Sequence, residues 1–357
     1  NRDVAPNTMD SYLKGDADIE AIMPPAAPDG IDEAVTEAMV AEPETSGQGI
    51  MTRPLTAEQR TAISNRGSAV LRSQGLPIFR DGTFSKDELT KSLKVAGLSG
   101  KEDSVLRGAI TTEVGERGPV TESGYSRRNV NNISSARFTE GDMKGQFRHA
   151  WRRRMIRDGV MNEDGTLLDY SATNVFNSVY ANRNGNGDYA SGDGNRFKGR
   201  GLVQITGRDN YQAVQDLLQA EGFDVDLMSN PSLVNDERIA LPATLAMMKH
   251  LGLNKSSMAS MSAKKLNNAI NSRADSDTAE ERWENVIDVA RDAGREEEAQ
   301  ELENRNEYAA QRKAGAVVDG AVGPNSLTAF RTYLTGQGVP IPAGASKDDL
   351  VILVNKN

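Results

Sequence analysis

Tyr180-Ala-Asn-Arg-Asn-Gly-Asn-Gly-Asp-Tyr-Ala-Ser-Gly-Asp-Gly194 and, after Asn195, Arg196-Phe-Lys-Gly-Arg-Gly-Leu-Val-Gln-Ile-Thr-Gly-Arg-Asp-Asn-Tyr211 form the most informative run of the chain. Glycines at such close intervals mark a long ordered loop whose backbone passes near other groups. Gly199-Arg-Gly201 makes a tight turn, and the polar residues Gln204, Thr206 and Asn210 recur beyond it along one edge. Such an edge suits hydrogen bonding to a sugar or a water. Asn184, Asn186 and Asp188 alternate as in a calcium loop, but Asn195 stands where that loop needs a glutamate. Gly199-Arg-Gly201 has neither the third glycine nor the preceding strand unit of a dinucleotide fingerprint.

Outward from this run the patterning is mostly helical. Helices are predicted for Ala57 to Gln74, ending at Gly75, and for Gly145 to Asp158, Ala172 to Tyr180, Asn210 to Gly222, Glu237 to Leu251 and Thr278 to Ala293. Pro242 fits the fifth of these only within its first turn. Ser85-Lys-Asp-Glu88 and Ser99-Gly-Lys-Glu102 have the spacing of capping boxes. The second opens a helix to about Glu113 with Val105, Leu106, Ala109 and Ile110 on one face, before Gly115, Gly118 and Pro119 break it. Extended structure is confined to Thr121–Ile133 and Gly201–Thr206. The class is mainly α with a small β element.

Composition narrows the chemistry. The 357 residues contain no cysteine and two histidines, His149 and His250, far apart and in no motif. Thiol nucleophiles and thiolate metal sites are excluded, and the histidines read as surface or helix-packing residues. No metal or other cofactor is expected, and catalysis falls to carboxylates. A net charge of −9 argues against a general nucleic-acid binder. No stretch approaches the roughly 20 apolar residues of a membrane span. Residues 1–55 are acidic and rich in Ala, Pro, Gly and Met, and read as an extension or linker. A short helix over Ile31–Val40 docking on a partner is the alternative reading there. No basic region followed by an apolar core is visible at the start, so delivery without a standard leader is expected.

Three motifs carry a resemblance: Ala181-Asn-Arg-Asn-Gly-Asn-Gly187, Ala190-Ser-Gly-Asp-Gly194, and Lys198-Gly-Arg-Gly-Leu-Val-Gln-Ile-Thr-Gly207 with Asn210-Tyr211. Through them the chain resembles the family 19 glycoside hydrolases, in the form found in phage and bacterial peptidoglycan-degrading enzymes. The similarity continues through Asn230-Pro-Ser-Leu233 and Ala269-Ile-Asn271, and covers about Leu98 to Arg291. It implies a lysozyme-like, two-lobed helical domain with a small β-hairpin element at residues 98–293. A helical part (56–97) precedes that domain, and a helical C-terminal region (294–357) follows it.

The resemblance implies two glutamates. The family's general acid ends a helix in a His-Glu-Ser/Thr-Gly motif, matched here by Glu113 in Thr111-Thr-Glu-Val-Gly115, where Thr112 and Val114 depart from the pattern. Thr121-Glu-Ser-Gly-Tyr-Ser126 matches the segment carrying the second carboxylate, so Glu122 takes that place, with Glu116 as competitor. Thr206 corresponds to the hydroxyl residue that helps hold the attacking water or sugar. Gln204, Asn210 and Asn271 match substrate-cleft positions, and Arg200 and Tyr211 of the same motif join them as substrate-binding candidates. The chemistry requires this division of labour. One carboxyl must be protonated to serve the leaving oxygen, and its partner ionised to activate water. Glu113, on a helix with a buried face, is expected to be the protonated one, and Glu122, beyond Gly118 and Pro119 in an exposed hairpin, the ionised one. The family's inverting course implies a separation of roughly 6.5 to 9.5 Å.

The remaining features leave alternatives open. His149-Ala-Trp-Arg-Arg-Arg-Met-Ile-Arg157 is either a solvated helix surface or a face for an anionic wall polymer. Trp151 and Trp283 are core or cleft-wall residues. Val318-Asp-Gly-Ala-Val-Gly-Pro-Asn-Ser-Leu-Thr-Ala-Phe330 resembles the turn of small peptidoglycan-binding domains, with Pro324 starting a helix and Leu327 and Phe330 facing inward. It follows a charged helix over Glu297–Lys313, and the region either binds wall or caps the main domain. The expected partner is the peptidoglycan glycan strand, with phage tail or other virion proteins reached through the extension. The expected setting is a phage virion or a host cell, with action in the periplasm or cell wall. A chitinase and a non-catalytic wall-binding virion or secretion-machine component are the rival readings.

Overall fold

Asp81 and Gly82, both at positive φ, reverse the chain between β1 (Phe79–Arg80) and β2 (Thr83–Phe84). Two residues in that conformation match the right-handed twist of paired strands, and they set Phe79 edge-on to Phe84 at 6.3 Å. This hairpin belongs to a computed structural model that describes residues 68–115, 117–122, 152–164, 166–168, 171–271 and 276–357, without the side chain of Asn271. The extension at 1–55, Glu116, residues 123–150 (including most of the expected strand to Ile133), His149 and Trp151 lie outside the described residues.

Ser85 opens α1 (Lys86–Val95) as expected, its hydroxyl accepting from the Glu88 N–H. The second box is not formed. α2 (Lys101–Val114) starts from Gly100 at φ +63, with no side-chain cap, which leaves Ser99 one residue too far out. The anticipated apolar face of α2 is fully buried, and so are Glu102, Asp103, Ser104 and Gly108, because neighbours surround the helix.

Its main neighbour lies far away in sequence. α7 (Ser276–Asp292) buries Ala279, Arg282, Trp283, Val286, Ile287 and Ala290, the three-and-four spacing of a helix stripe. At the crossing, a Cβ added to Gly108 would come within 2.6 Å of the Val286 Cα and backbone nitrogen. α4 (Arg208–Ala220) packs on α5 (Ala240–His250), in which every residue from Ala240 to Met248 is buried. Pro242 is the third residue of α5, where a missing N–H costs no helical bond. These helices share one large core, while α3 (Ala172–Val179) packs with Met155, Val160 and Met161 in a smaller one. Residues 152–157 are helical, the described part of the helix expected from Gly145. Ala69–Arg72 is likewise the described helical part of the expected Ala57–Gln74.

α6 (Ala263–Asn271) leads to α7. The single charged helix expected over Glu297–Lys313 is two, α8 (Glu296–Glu303) and α9 (Glu307–Lys313), because Asn306 caps the second through the Ala309 N–H. Ala299, Leu302 and Tyr308 join the large core, and Trp283 donates its indole N–H to the Leu302 carbonyl at 2.9 Å. Pro324 starts α10 (Pro324–Gly336), which packs Phe330 and Leu334 against Leu350, Val351 and Val354 of α11 (Lys347–Lys356). The Asp319-Gly320 turn before α10 is held by Gln311, whose amide oxygen accepts from both backbone N–H groups. The described fold is mainly helical with two small antiparallel pairs, the class expected for a lysozyme-like domain. No described helix is long and apolar enough to cross a membrane.

Replacing Gly108 by alanine will force α2 and α7 apart and lower stability by about 1–3 kcal/mol. A drop in the urea midpoint, with the slope unchanged, is the expected reading.

Candidate active site

The site is built around a two-residue strand pairing. β3 (Val120–Thr121) runs antiparallel to β4 (Arg200–Gly201), matching Val120 with Gly201 and Thr121 with Arg200. The Glu122 N–H continues the pairing to the Gly199 carbonyl at 2.8 Å. Asn235 clips both strands, donating to Thr121 Oγ1 and accepting from the Gly201 N–H. Beyond β4 the chain folds back so that Arg200 and Ile205 exchange both backbone hydrogen bonds. That turn places Gln204 at φ +50, and its side-chain amide donates to the Val120 and Gly201 carbonyls.

Glu122, Gln204 and Thr206 meet at Gly199. A Cβ added there would lie 2.8 Å from Gln204 Oε1 and 3.3 Å from both Glu122 Oε2 and Thr206 Oγ1. The space left by the absent side chain is thus ringed by three polar atoms. The Tyr180 hydroxyl lies 3.0 Å from both Glu122 carboxylate oxygens, and the Gly199 N–H adds a longer bond to Oε2. Thr206 donates to the Gln204 carbonyl and is fixed from behind by Asn210, whose amide donates to the Thr206 carbonyl. The structure therefore brings together Glu122, Thr206, Gln204 and Asn210.

Arg200 and Tyr211 support this unit from one side. Tyr211 is fully buried, donates to the Lys198 carbonyl at 3.0 Å and accepts from Arg200. Burial pushes its phenol up to about 12, so it remains a neutral donor. Arg200 also donates to the Arg196 and Lys198 carbonyls. The glycine-rich loop before it closes on the start of α4. Asn186 donates to the Tyr180 carbonyl and accepts from the Arg208 N–H, so its side chain acts as a backbone strut. The buried Asp193 pairs with Arg208 through two hydrogen bonds and accepts from the Gly187 N–H. Arg208 holds the Asp193 carboxyl below the usual carboxylate range.

Glu113 stands in a second group at the end of α2. Its side chain is 8% exposed, and Oε1 accepts from Arg282 of α7 at 3.0 Å. The same guanidinium donates to Asn267 of α6 at 2.7 Å. The burial expected of Glu113 is present, but a buried cation forms one wall. Oε2 has no hydrogen-bond partner among the described residues. Thr112, beside Glu113 in sequence, accepts from Asn285. Asn271 closes α6, its side chain outside the described set.

Sequence reasoning missed Tyr180, Arg282 and Asn267 as the groups that hold the two candidate glutamates, Asn267 by way of Arg282. Tyr180 had a local signal, since it ends α3 immediately before the loop. Arg282 had none: it reaches Glu113 across 169 residues.

No family model matches the chain. Over 59 residues the chain is 49% identical to a Haemophilus influenzae protein described as "Glycosyl hydrolase family 19 domain-containing protein". That stretch is 16% of this chain and spans 30% of the relative's length. The similarity supports a relationship to family 19 glycosyl hydrolases.

Two stability outcomes follow. Arg282→Met leaves Glu113 and Asn267 buried without their partner, at a cost of about 3–5 kcal/mol, readable from chemical denaturation. Asp193 has a lowered folded-state pKa, so its contribution is full above the unfolded value of about 3.9 and fades as pH falls through the folded one. Asp193→Asn will therefore weaken the protein at pH 7 and flatten the decline in stability below about pH 4.

Proposed function

We propose that the protein is a glycoside hydrolase that cuts peptidoglycan glycan strands with Glu113 and Glu122. The observation that carries this reading is the convergence of Glu122 Oε2, Thr206 Oγ1 and Gln204 Oε1 where Gly199 lacks a side chain. Three polar atoms converging on one point suit the binding of one water molecule. Glu122 takes a proton from that water as its oxygen attacks the anomeric carbon, while Thr206 and Gln204 orient it. The glycosidic C–O bond breaks on the opposite side, and the leaving oxygen receives its proton from Glu113. Arg282 fixes the Glu113 carboxyl through Oε1 and leaves Oε2 for the leaving group. Tyr180 holds both oxygens of Glu122, so that carboxylate cannot swing out of line. Water enters opposite the leaving group, which gives inversion at the anomeric carbon. Asn210, Asn271 and Arg200 are assigned to the sugar-binding edge, and Tyr211 to its support.

The 59-residue match to a protein named for a family 19 domain favours glycosidic chemistry. The Asp319-Gly320 turn and the helix starting at Pro324 favour peptidoglycan over chitin, because they resemble wall-binding modules. The acidic residues 1–55 are assigned to docking on phage tail or other virion proteins, with action at the host cell wall.

Glu113→Gln and Glu122→Gln should each lower reducing-end release from purified sacculi about 10²- to 10⁴-fold while leaving the fold intact. Mass spectrometry of the released muropeptides identifies the bond cut. Release from colloidal chitin but not from sacculi would replace this reading with a chitinase. Equal binding to sacculi by wild type and Glu113→Gln, with no release by either, would replace it with a binding protein.

A further inference from the structure

Lys198 and Arg200 flank Gly199, the residue at which Glu122, Gln204 and Thr206 meet. Neither cation forms an ion pair among the described residues, whereas nearby Arg208 is bound to Asp193 at 2.6 Å. The Lys198 ammonium lies 4.7 Å from the Phe176 ring centroid and 3.2 Å from Asn195 Oδ1, both neutral. Its side chain is half-buried, and burial and the Arg200 charge both work against its protonated form, while Glu122 favours it. A partly desolvated lysine is normally matched by a carboxylate. Here the nearest acid in the arrangement is Glu122, held by Tyr180 and the Gly199 N–H. Arg200 is turned toward backbone carbonyls and Tyr211, which fixes its charge beside Lys198. The result is a preset positive edge next to the proposed reaction centre.

We propose that Lys198, reinforced by Arg200, is a specificity-determining residue that binds a carboxylate borne by the substrate, so that the groove selects acid-bearing glycan strands over neutral ones. This rests on the hydrolase reading above. In peptidoglycan such a carboxylate belongs to the peptide stems, and chitin has no equivalent. Asn195 and the Phe176 face hold the ammonium in place before the strand arrives, so little ordering remains to be done on binding.

The test uses the full chain as wild type, Lys198→Met and Lys198→Arg, on native sacculi and on sacculi whose carboxyls have been capped as methylamides. Binding is read by co-sedimentation and turnover by reducing-end release. Wild type and Lys198→Arg should bind native sacculi about tenfold more tightly than capped ones, and Lys198→Met should lose that preference, with the change in KM rather than kcat. A Lys198→Met that keeps the wild-type preference overturns the assignment. So does one that weakens both substrates equally, as a purely structural defect would. Capping leaves phosphate groups untouched, so wild-type binding that capping does not weaken assigns the edge to phosphate and likewise overturns the carboxylate. If wild type releases no reducing ends from native sacculi, the hydrolase reading falls on its own, and the binding ratios still decide the role of Lys198.

Discussion

The cluster of Glu122, Gln204 and Thr206 hangs on the pairing of Val120–Thr121 with Arg200–Gly201. Two strands of two residues have no independent stability. This pair survives because side chains bind its backbone from both ends. Asn235 bridges the strands, and Gln204 donates to carbonyls on each of them. The left-handed backbone of Gln204 costs roughly 1–2 kcal/mol for a residue with a Cβ. Its two amide hydrogen bonds offset that cost and aim its oxygen at Gly199. The same residue closes the turn and faces the space where the polar atoms gather.

The two glutamates are held by different means. Glu113 rides near the end of a helix buried on all sides and is gripped by a guanidinium from α7. Its position therefore depends on the α2–α7 crossing at Gly108, where the backbones come as close as atoms allow. Glu122 sits just past a strand end and is gripped by one phenol and one backbone N–H. A rigid helix fixes one group against the large core, while a short long-range strand pairing fixes the other against the loop.

Local signals in the sequence translated well into structure. Apolar periodicity located α3, α4, α5 and α7 to within a few residues, and Pro242 and Pro324 each fell in a first turn. Trp283, open between core and cleft wall, is a core residue. The glycine-rich run was legible as ordered because its glycines are forced: Gly185 and Gly207, at φ +75 and +94, would drive a Cβ into Asp209 and Asn184. Cap chemistry was less legible, since Ser99 has the right spacing but Gly100 takes the helix start, and Asn306 divides what reads as one charged helix. Of the polar cluster around Gly199, the sequence disclosed the residues that lie in consecutive motifs. The supports that come from elsewhere, Arg282 above all, follow from packing between helices and leave no trace in spacing.

The bond from the Trp283 indole to the Leu302 carbonyl has a bearing on how this chain is divided. Charge and composition change near Gly294, which invites an engineer to cut there and transplant the last sixty-odd residues as a portable wall anchor. Such a cut would bare the largest aromatic of the central helix and remove Ala299, Leu302 and Tyr308 from its surroundings. The truncated front half would then carry a sticky hydrophobic scar, and the transplanted end would lose its seat. A seam placed after Tyr308 leaves the indole covered, but it cuts through α9 and parts Tyr308 from Gly320, whose backbone lies against its ring. The molecule offers no clean joint in this stretch, so its front and rear are best inherited together.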